Sequence, residues 1–201
     1  MAAISERAAP EDVLLIHPNS YDPNGTLGTK EDAIIGTSSA RRMAQMKRLK
    51  PECTVNPLRG NVPTRIKKLL SGEFDAILLA KAGLDRLEID LDGIQVQVLS
   101  PNIFVPAAAQ GALGIQMRDN DPDIKGVKDA MHHASSAQCV EAERSVLKHM
   151  NGGCQMPFGA YCSSLMSGYE MKLFHNNVIT SIQAPDLLSL VELAKNHVDQ
   201  A

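Results

Sequence analysis

Short aliphatic runs alternate with segments of helical periodicity through the first half of the chain. Runs bounded by Gly, Pro, Asn or Asp predict buried strands, and the periodic segments between them predict helices. The predicted strands are residues 13–16, 33–35, 53–55, 74–80 and 94–99. The predicted helices are residues 40–49, residues 62–70 and a short segment that ends at Leu87. Strands that alternate with helices indicate βαβ units, so we expect an α/β fold with a parallel sheet.

The pattern changes after Pro101. Residues 107–117 are small and apolar, and residues 123–150 have the periodicity of a long helical block that ends at two glycines. The last part of the chain predicts a small α+β unit with two or three short strands, at 161–165, 171–174 and 178–182, and a helix from 185 to about 198. The predicted domains are an α/β domain at 1–105, a helical segment at 106–151 and a C-terminal unit at 152–201.

Composition favours a globular protein that does not bind nucleic acid. The 201 residues are 44% hydrophobic, and with 3% aromatic residues and no Trp the core must be aliphatic, which suits helices packed on a sheet. A net charge of −3 without one long basic run argues against nucleic acid as a partner. No apolar run approaches the roughly 20 residues that span a bilayer, so no membrane segment is predicted.

The four cysteines predict neither a disulfide framework nor a metal site. They lack C-x-x-C spacing, and the His132-His133 pair has no ligand-spaced partners, so we predict no metal. Reduced thiols indicate a cytoplasmic protein. We assign Cys53, Cys139 and Cys162 to core packing.

A candidate anion site follows the second predicted strand, at a strand-to-helix turn. Free N–H groups at the start of a helix favour a negatively charged ligand. The polar residues of this turn are Thr37, Ser38, Ser39, Arg41 and Arg42. The spacing matches neither a P-loop nor G-x-G-x-x-G, so a nucleotide phosphate is not the expected ligand.

Arg59 and Arg65 follow the next predicted strand and would lie at the same edge of the sheet. Guanidinium groups bind carboxylates bidentately, so four converging arginines suit a small polycarboxylate. Spacing alone also allows the arginines to be solvated helix residues paired with Asp or Glu.

Cys154 is the candidate nucleophile, because two glycines before it would let its sulfur approach a ligand and nearby arginines would activate its thiolate. The alternative is a small buried apolar residue.

Six short motifs together resemble the porphobilinogen deaminase (hydroxymethylbilane synthase) family in order and spacing, from about residue 4 to residue 162. These motifs are Gly36-Thr-Ser-Ser-Ala-Arg-Arg42, Leu58-Arg-Gly-Asn61 with Thr64-Arg65, Ala82-Gly83-Leu84 with Arg86-Leu87, Gln110-Gly111-Ala112, Ala142-Glu143-Arg144 and Gly152-Gly-Cys154 with Pro157. Any one of them is weak, but six in register are specific.

The resemblance implies a dipyrromethane cofactor held by a thioether to Cys154, and arginines that bind the acetate and propionate groups of the cofactor and growing chain. The residues it implies for this cleft are Arg41, Arg42, Arg59 and Arg65 with Thr37, Ser38, Ser39, Gly60 and Gln110. In such enzymes porphobilinogen loses ammonia, the terminal pyrrole captures the electrophile repeatedly, and hydrolysis releases a linear tetrapyrrole. The implied fold is a lobe like those of periplasmic binding proteins at 1–105, a remnant of a second lobe at 106–151, and a shortened C-terminal domain.

The sequence departs from the family pattern at several places. The family's lysine-aspartate motif would precede Met1, so we expect little or no deaminase activity from this chain alone. Ala109 stands where Gly is usual, and Ala134-Ser135 where an acidic residue and Thr are common. Apolar faces that would normally contact the first domain are expected to be covered by self-association or by a partner.

Three functions are therefore open: a piece of a working deaminase, a pyrrole or polycarboxylate binder without turnover, and a degenerate remnant with a structural or interaction role.

Overall fold

A computed structural model of the protein describes residues 1–151 and 156–200. The strands are β1 (Ala3–Ile4), β2 (Asp12–Ile16), β3 (Ile34–Gly36), β4 (Thr54–Asn56), β5 (Ala76–Ala80), β6 (Gln95–Leu99), β7 (Gly114–Ile115), β8 (Gly159–Leu165), β9 (Gly168–His175) and β10 (Val178–Ala184). The helices are α1 (Ala40–Leu49), α2 (Val62–Leu70), α3 (Lys81–Leu87), α4 (Ile124–Met131), α5 (Ala134–His149) and α6 (Leu187–Gln200). Within these described residues, no helix is long and apolar enough to cross a membrane.

The main sheet has five strands in the order β4-β3-β5-β2-β6. Strand β3 is parallel to β4 and β5, whereas β2 is antiparallel to both of its neighbours, β5 and β6. The strands predicted between residues 33 and 99 thus run in one direction, as βαβ units require. The α/β class is confirmed, with the refinement that β2 makes the sheet mixed.

Both faces of this sheet are covered by helices. Successive residues of a strand point to opposite sides, so a strand buried on both sides contributes to two apolar clusters. Val13 and Leu15 of β2 join one apolar cluster, which includes Ile66 and Leu69 of α2. Leu14 and Ile16 join the other cluster, with Met46 of α1. Strand β2 is buried along its whole length, so it forms the centre of the α/β core.

The predicted helical block at 123–150 is two helices in the structure. The chain is extended at His132 and His133, between α4 and α5. Strand β1 accounts for the break, because the Ile4 N–H donates to His132 Nδ1 (3.3 Å) and Ile4 O accepts from the His133 N–H (2.8 Å). None of the residues of α4 is buried, so its apolar positions do not form the core that their periodicity predicted.

The C-terminal part contains three strands where the sequence predicted two or three, and they form an antiparallel sheet in the order β10-β9-β8. Helices α5 and α6 cover it, and one apolar cluster joins Val146 of α5, Leu173 of β9 and Leu190 of α6. Helix α5 thus packs with the C-terminal strands. The domain boundaries at 105/106 and 151/152 remain predictions.

Candidate functional site

The turn between β3 and α1 builds the first wall of the candidate site. The Ser39 side chain caps α1 by accepting a long hydrogen bond from the Arg42 N–H (3.4 Å). Thr37 Oγ1 accepts from the Ser39 N–H (3.2 Å), and Ser38 Oγ donates to Leu58 O (2.9 Å). These three hydroxyl side chains therefore order the turn as well as lining the space above it.

A cleft of about 480 Å³ opens between this turn and the C-terminal part of the chain. We call it the arginine cleft. Its lining residues are Thr37, Ser38, Ser39, Arg41, Arg42, Arg65, Ala107, Ala108, Leu147, Met156 and Phe158. One wall is polar and cationic, whereas Leu147, Met156 and Phe158 make the other wall apolar. A planar apolar ligand with anionic substituents would match both walls.

Arg41 and Arg42 lie at the base of the cleft and are both paired with Asp12. Arg41 Nη1 lies 2.6 Å from Asp12 Oδ2, and Arg42 Nε and Nη2 lie 2.9 and 2.7 Å from Asp12 Oδ1. Asp12 is 0% exposed and Arg41 is 4% exposed. The two arginines are therefore paired with an acidic residue, but in the interior and not as solvated helix residues.

Further contacts fix both guanidinium groups, yet they leave one donor of Arg41 unused. Arg41 Nη1 also donates to Val105 O (2.7 Å), and Arg42 Nη1 donates to Leu78 O (3.2 Å). The Nε atom of Arg41 is buried and has no hydrogen-bond partner among the described residues. A buried donor without an acceptor is costly, so this atom favours a bound acceptor.

Of the two arginines beyond β4, the structure brings one into the cleft. Arg65 is half-buried, lines the cleft and donates from Nε to Gly60 O (2.7 Å). Arg59 is exposed and does not belong to the lining, and neither does Gly60. The predicted convergence is thus observed for three arginines, and roles for Arg59 and Gly60 remain predictions.

Gln110 lies behind the arginines and not on the surface of the cleft. Its Oε1 accepts from Arg41 Nη2 (3.2 Å), while its Nε2 donates to Pro10 O (2.7 Å) and Asp12 Oδ1 (3.1 Å). The residue before it, Ala109, has a left-handed backbone with φ of 67°, a conformation that Gly adopts more easily. The side chain of Gln110 therefore connects this loop to the Arg41–Asp12 pair.

A second buried carboxylate, Glu143 of α5, joins three parts of the chain. It accepts from Arg7 Nη1 (2.5 Å) and Nη2 (3.2 Å), from the Ala109 N–H (2.6 Å) and from the Cys162 N–H (2.7 Å). The N-terminal segment, the loop that carries Gln110 and strand β8 therefore meet at one side chain. Leu147, one helical turn further along α5, lines the cleft.

Burial and charge act in opposite directions on these groups. Burial favours a raised pKa for Asp12, but the charges of Arg41 and Arg42 outweigh it and hold the pKa below its ordinary value. Burial lowers the pKa of Arg42, and Asp12 opposes that shift. Burial raises the pKa of Glu143, and the Arg7 guanidinium and two N–H donors offset part of the rise.

The predicted nucleophile, Cys154, lies outside the described residues. The other three cysteines are buried, in agreement with their assignment to packing. In residues 1–151 and 156–200, no group of three or more His, Cys, Asp or Glu side chains could hold a metal ion.

Comparison with known families decides what this site belongs to. Residues 1–126 match a family model described as "Porphobilinogen deaminase, dipyromethane cofactor binding domain", and residues 137–181 match the model of the C-terminal domain of the same enzyme. The chain belongs to the porphobilinogen deaminase family. This confirms the resemblance inferred from the six motifs, and dipyrromethane is the cofactor for which the matched domain is named.

Individual porphobilinogen deaminases are similar over most of this chain. The enzyme of Nitrosomonas europaea is 44% identical over 162 residues, which are 80% of this chain and 50% of that protein. The enzyme of Neisseria meningitidis serogroup B is 44% identical, over 81% of this chain and 50% of its own length. That of Listeria monocytogenes is 37% identical, over 90% of this chain and 58% of its own. The chain therefore spans about half the length of the curated relatives it matches.

Among solved structures, an ancestral amino acid-binding protein described as a precursor of cyclohexadienyl dehydratase is similar at 13% identity and a TM-score of 0.36. The similarity covers 63% of this chain and 52% of that one. It is too weak to bear on function.

Two residues at this site were missed as functional candidates from the sequence. Asp12 reads as the polar start of a strand, and its pairing with Arg41 and Arg42 crosses about 30 residues. Glu143 was part of a recognised motif but had no assigned role. The sequence does offer one indication for Asp12, because an acidic residue immediately before a fully apolar strand would be costly to bury without a cationic partner.

Proposed function

We propose that this chain is a porphobilinogen deaminase (hydroxymethylbilane synthase) homologue of tetrapyrrole biosynthesis that binds a dipyrromethane in the arginine cleft. The carrying observation is the buried guanidinium of Arg41, whose Nε has no acceptor among the described residues, beside Arg42 and Arg65. Acetate and propionate groups would supply the acceptor that Arg41 Nε lacks and would pair with the guanidinium groups of Arg42 and Arg65. The apolar wall formed by Phe158 and its neighbours suits a pyrrole ring.

The attachment of the cofactor to Cys154 is part of this proposal. Met156 lines the arginine cleft, and Cys154 precedes it by two residues. Two residues of extended chain span at most about 7 Å. A thioether from its sulfur to a ring in the cleft is therefore compatible with the length of the chain.

Within the family chemistry, this chain's residues would bind and orient. When bound, the dipyrromethane supplies the pyrrole α-carbon that accepts the next unit. Arg41, Arg42 and Arg65 would hold the carboxylates, and Phe158 would limit access of water to the ring. A second cleft of about 790 Å³ shares Ala108 and Leu147 with the first and offers room for a longer chain.

We further propose that a polypeptide of these 201 residues has little or no deaminase activity by itself. The family resemblance assigns the acid that acts on the porphobilinogen nitrogens to a lysine-aspartate motif of the family's first domain, and none of the six matched motifs corresponds to it. A positioned general acid typically contributes a factor of about 10² to 10⁴. A cytosolic location belongs to the same proposal.

Intact-protein mass spectrometry tests the cofactor site. The chain is expressed in cells that make porphobilinogen, together with Cys154→Ala and, as a matched control, Cys53→Ala, whose thiol is buried in the α/β core. We expect a mass excess of one dipyrromethane in the wild type and in Cys53→Ala, and none in Cys154→Ala. Absence of any excess in the wild type, or its persistence in Cys154→Ala, would contradict attachment at this residue.

Porphobilinogen consumption separates the remaining alternatives. The isolated chain is assayed alone and after addition of the N-terminal half of the Nitrosomonas europaea enzyme. Turnover that requires the added half indicates a piece of a working deaminase. Binding or a covalent adduct without turnover in either assay indicates a pyrrole-binding protein, and a chain that does neither indicates a remnant. Ordinary turnover by the chain alone would refute the proposed inactivity.

We also propose that the chain self-associates through apolar side chains near β7 and α4. Leu113 and Met131 are each 50% exposed, and none of the residues of α4 is buried. Leaving such side chains in water forgoes about 25 cal/mol per Å² of apolar surface. Size-exclusion chromatography with light scattering should show dimers or larger species as concentration rises. A compact monomer throughout would count against self-association and leave a different partner as the alternative.

A further inference from the structure

The Asp12 carboxylate accepts hydrogen bonds from three side chains of the site, yet it does not line the arginine cleft. Three donors converge on its Oδ1: Arg42 Nε, Arg42 Nη2 and Gln110 Nε2. Its Oδ2 accepts from Arg41 Nη1 at 2.6 Å. Because Asp12 is fully buried behind the arginines, it would act on a ligand through them.

The position of Asp12 is set by the sheet. It is the first residue of β2 and is paired with Ala80 of β5 on one side and Leu99 of β6 on the other. Two ladders therefore hold its backbone, and α1 brings Arg41 and Arg42 over it. A carboxylate fixed in this way gives each guanidinium a defined orientation.

Charge balance explains why one carboxylate serves two arginines. Two adjacent buried guanidinium groups repel each other, and each loses hydration. Asp12 offsets one positive charge, and the remaining one is available to an anionic ligand. With no carboxylate behind them, both groups would have to find acceptors in the cleft itself.

We propose that Asp12 is a positioning residue, which orients Arg41 and Arg42 so that they present one net positive charge to a ligand carboxylate. The proposal rests on the proposed function, because it assumes that the cleft binds carboxylates. A residue that merely neutralises charge would have the opposite effect, since its removal would strengthen the binding of an anion.

The hydrogen-bond pattern predicts the effect of Asp12→Asn. An amide has one oxygen, and this oxygen should take the position of Oδ1, because three donors converge there. The NH₂ group then faces Arg41 Nη1, where two donors meet at a short distance. The substitution should therefore displace Arg41 and leave Arg42 largely in place.

Titration of the chain with porphobilinogen, followed by calorimetry, measures the effect on binding. We expect Asp12→Asn to weaken binding roughly 10-fold or more, because small displacements of positioning groups have effects of that order. The matched control is Asp75→Asn. Asp75 accepts hydrogen bonds from Ser20 and the Ile34 N–H at the opposite end of β5, so its loss should leave affinity within about 3-fold.

Should Asp12→Asn fail to fold, Gln110→Met keeps the carboxylate and removes one partner of both Asp12 and Arg41, and it should weaken binding in the same direction. Equal or tighter binding by a folded Asp12→Asn variant, or by Gln110→Met in its place, would overturn the proposal.

Arginine Nε–H signals in ¹H–¹⁵N NMR provide a readout that needs no ligand. In Asp12→Asn we expect the Arg41 signal to broaden or disappear, because Arg41 Nη1 loses its acceptor, and the Arg42 signal to stay sharp and shift only because its acceptor changes from a carboxylate to an amide oxygen. A general loss of stability would broaden both signals. Unchanged signals for both arginines would overturn the proposal. Should the wild type fail to bind porphobilinogen while the Arg41 signal responds as expected, the proposed function fails and the orientation of Arg41 by Asp12 stands.

Discussion

Removing the buried carboxylate of Glu143 is expected to destabilise the whole chain strongly. In Glu143→Ala, the Arg7 guanidinium and the N–H groups of Ala109 and Cys162 lose the acceptor that lies 2.5 to 3.2 Å away. Breaking a buried ion pair by removing one partner costs about 3–5 kcal/mol, and a buried donor left unpaired costs about 1–3 kcal/mol. These values are not additive at one site.

We expect a loss of about 4 kcal/mol in the free energy of unfolding. The Arg7 side chain is 10% exposed and regains some hydration, which keeps the loss below the simple sum. Folded domains have free energies of unfolding of about 5–15 kcal/mol, so the variant would retain about 1–11 kcal/mol and is expected to remain folded in the absence of urea. Urea unfolding followed by far-UV circular dichroism measures the difference.

Glu141→Ala is the matched control, because Glu141 lies on the same helix and is exposed. It should change the free energy of unfolding by no more than about 0.5 kcal/mol. A loss below about 1 kcal/mol in Glu143→Ala, or one equal to that of the control, would show that Glu143 does not join these segments in solution.

Three further predictions concern acid stability, a loop glycine and a helix cap. Burial favours a raised pKa for Asp12, but two guanidinium groups outweigh this effect and lower the pKa from 3.8. The carboxylate therefore stabilises the fold above about pH 4, and this contribution is lost as the pH falls further. Urea midpoints between about pH 5 and pH 2 should fall more steeply in the wild type than in Asp12→Asn. Gly111→Ala should lower the free energy of unfolding by roughly 1–3 kcal/mol, because φ is +93° and a Cβ would lie 2.6 Å from Ala8 O. Gly126→Ala in α4 is the control: its Cβ would meet no atom within 4 Å, and it should raise the free energy of unfolding by about 0.5–1 kcal/mol. Equal shifts of the melting temperature in the two variants would contradict this pair of predictions. Asn61→Ala should lower the unfolding free energy by about 1 kcal/mol, because Asn61 Oδ1 caps α2 at 2.9 Å, and an unchanged urea midpoint would exclude that role.

Local sequence determined most of the elements. Helices α1 and α2 begin and end at the predicted residues, because capping and breaking signals such as Asn61 before α2 act within one turn. Apolar runs placed the main strands within two residues of their observed bounds, since burial on both faces of a sheet requires such runs. The family motifs are local in the same sense, so the resemblance to the family depends on no tertiary contact.

Tertiary structure decided what the site residues do. Asp12 meets Arg41 across 29 positions and Arg7 meets Glu143 across 136, distances at which periodicity and spacing carry no information. The break between α4 and α5 likewise depends on β1, which contacts His132 from the other end of the chain. The sequence therefore determined which residues form the arginine-bearing turn. Long-range pairing of buried charges decided that Arg41 and Arg42 are fixed in the interior while Arg59, which follows β4, remains in solvent, because a buried charge needs a partner wherever the fold places one.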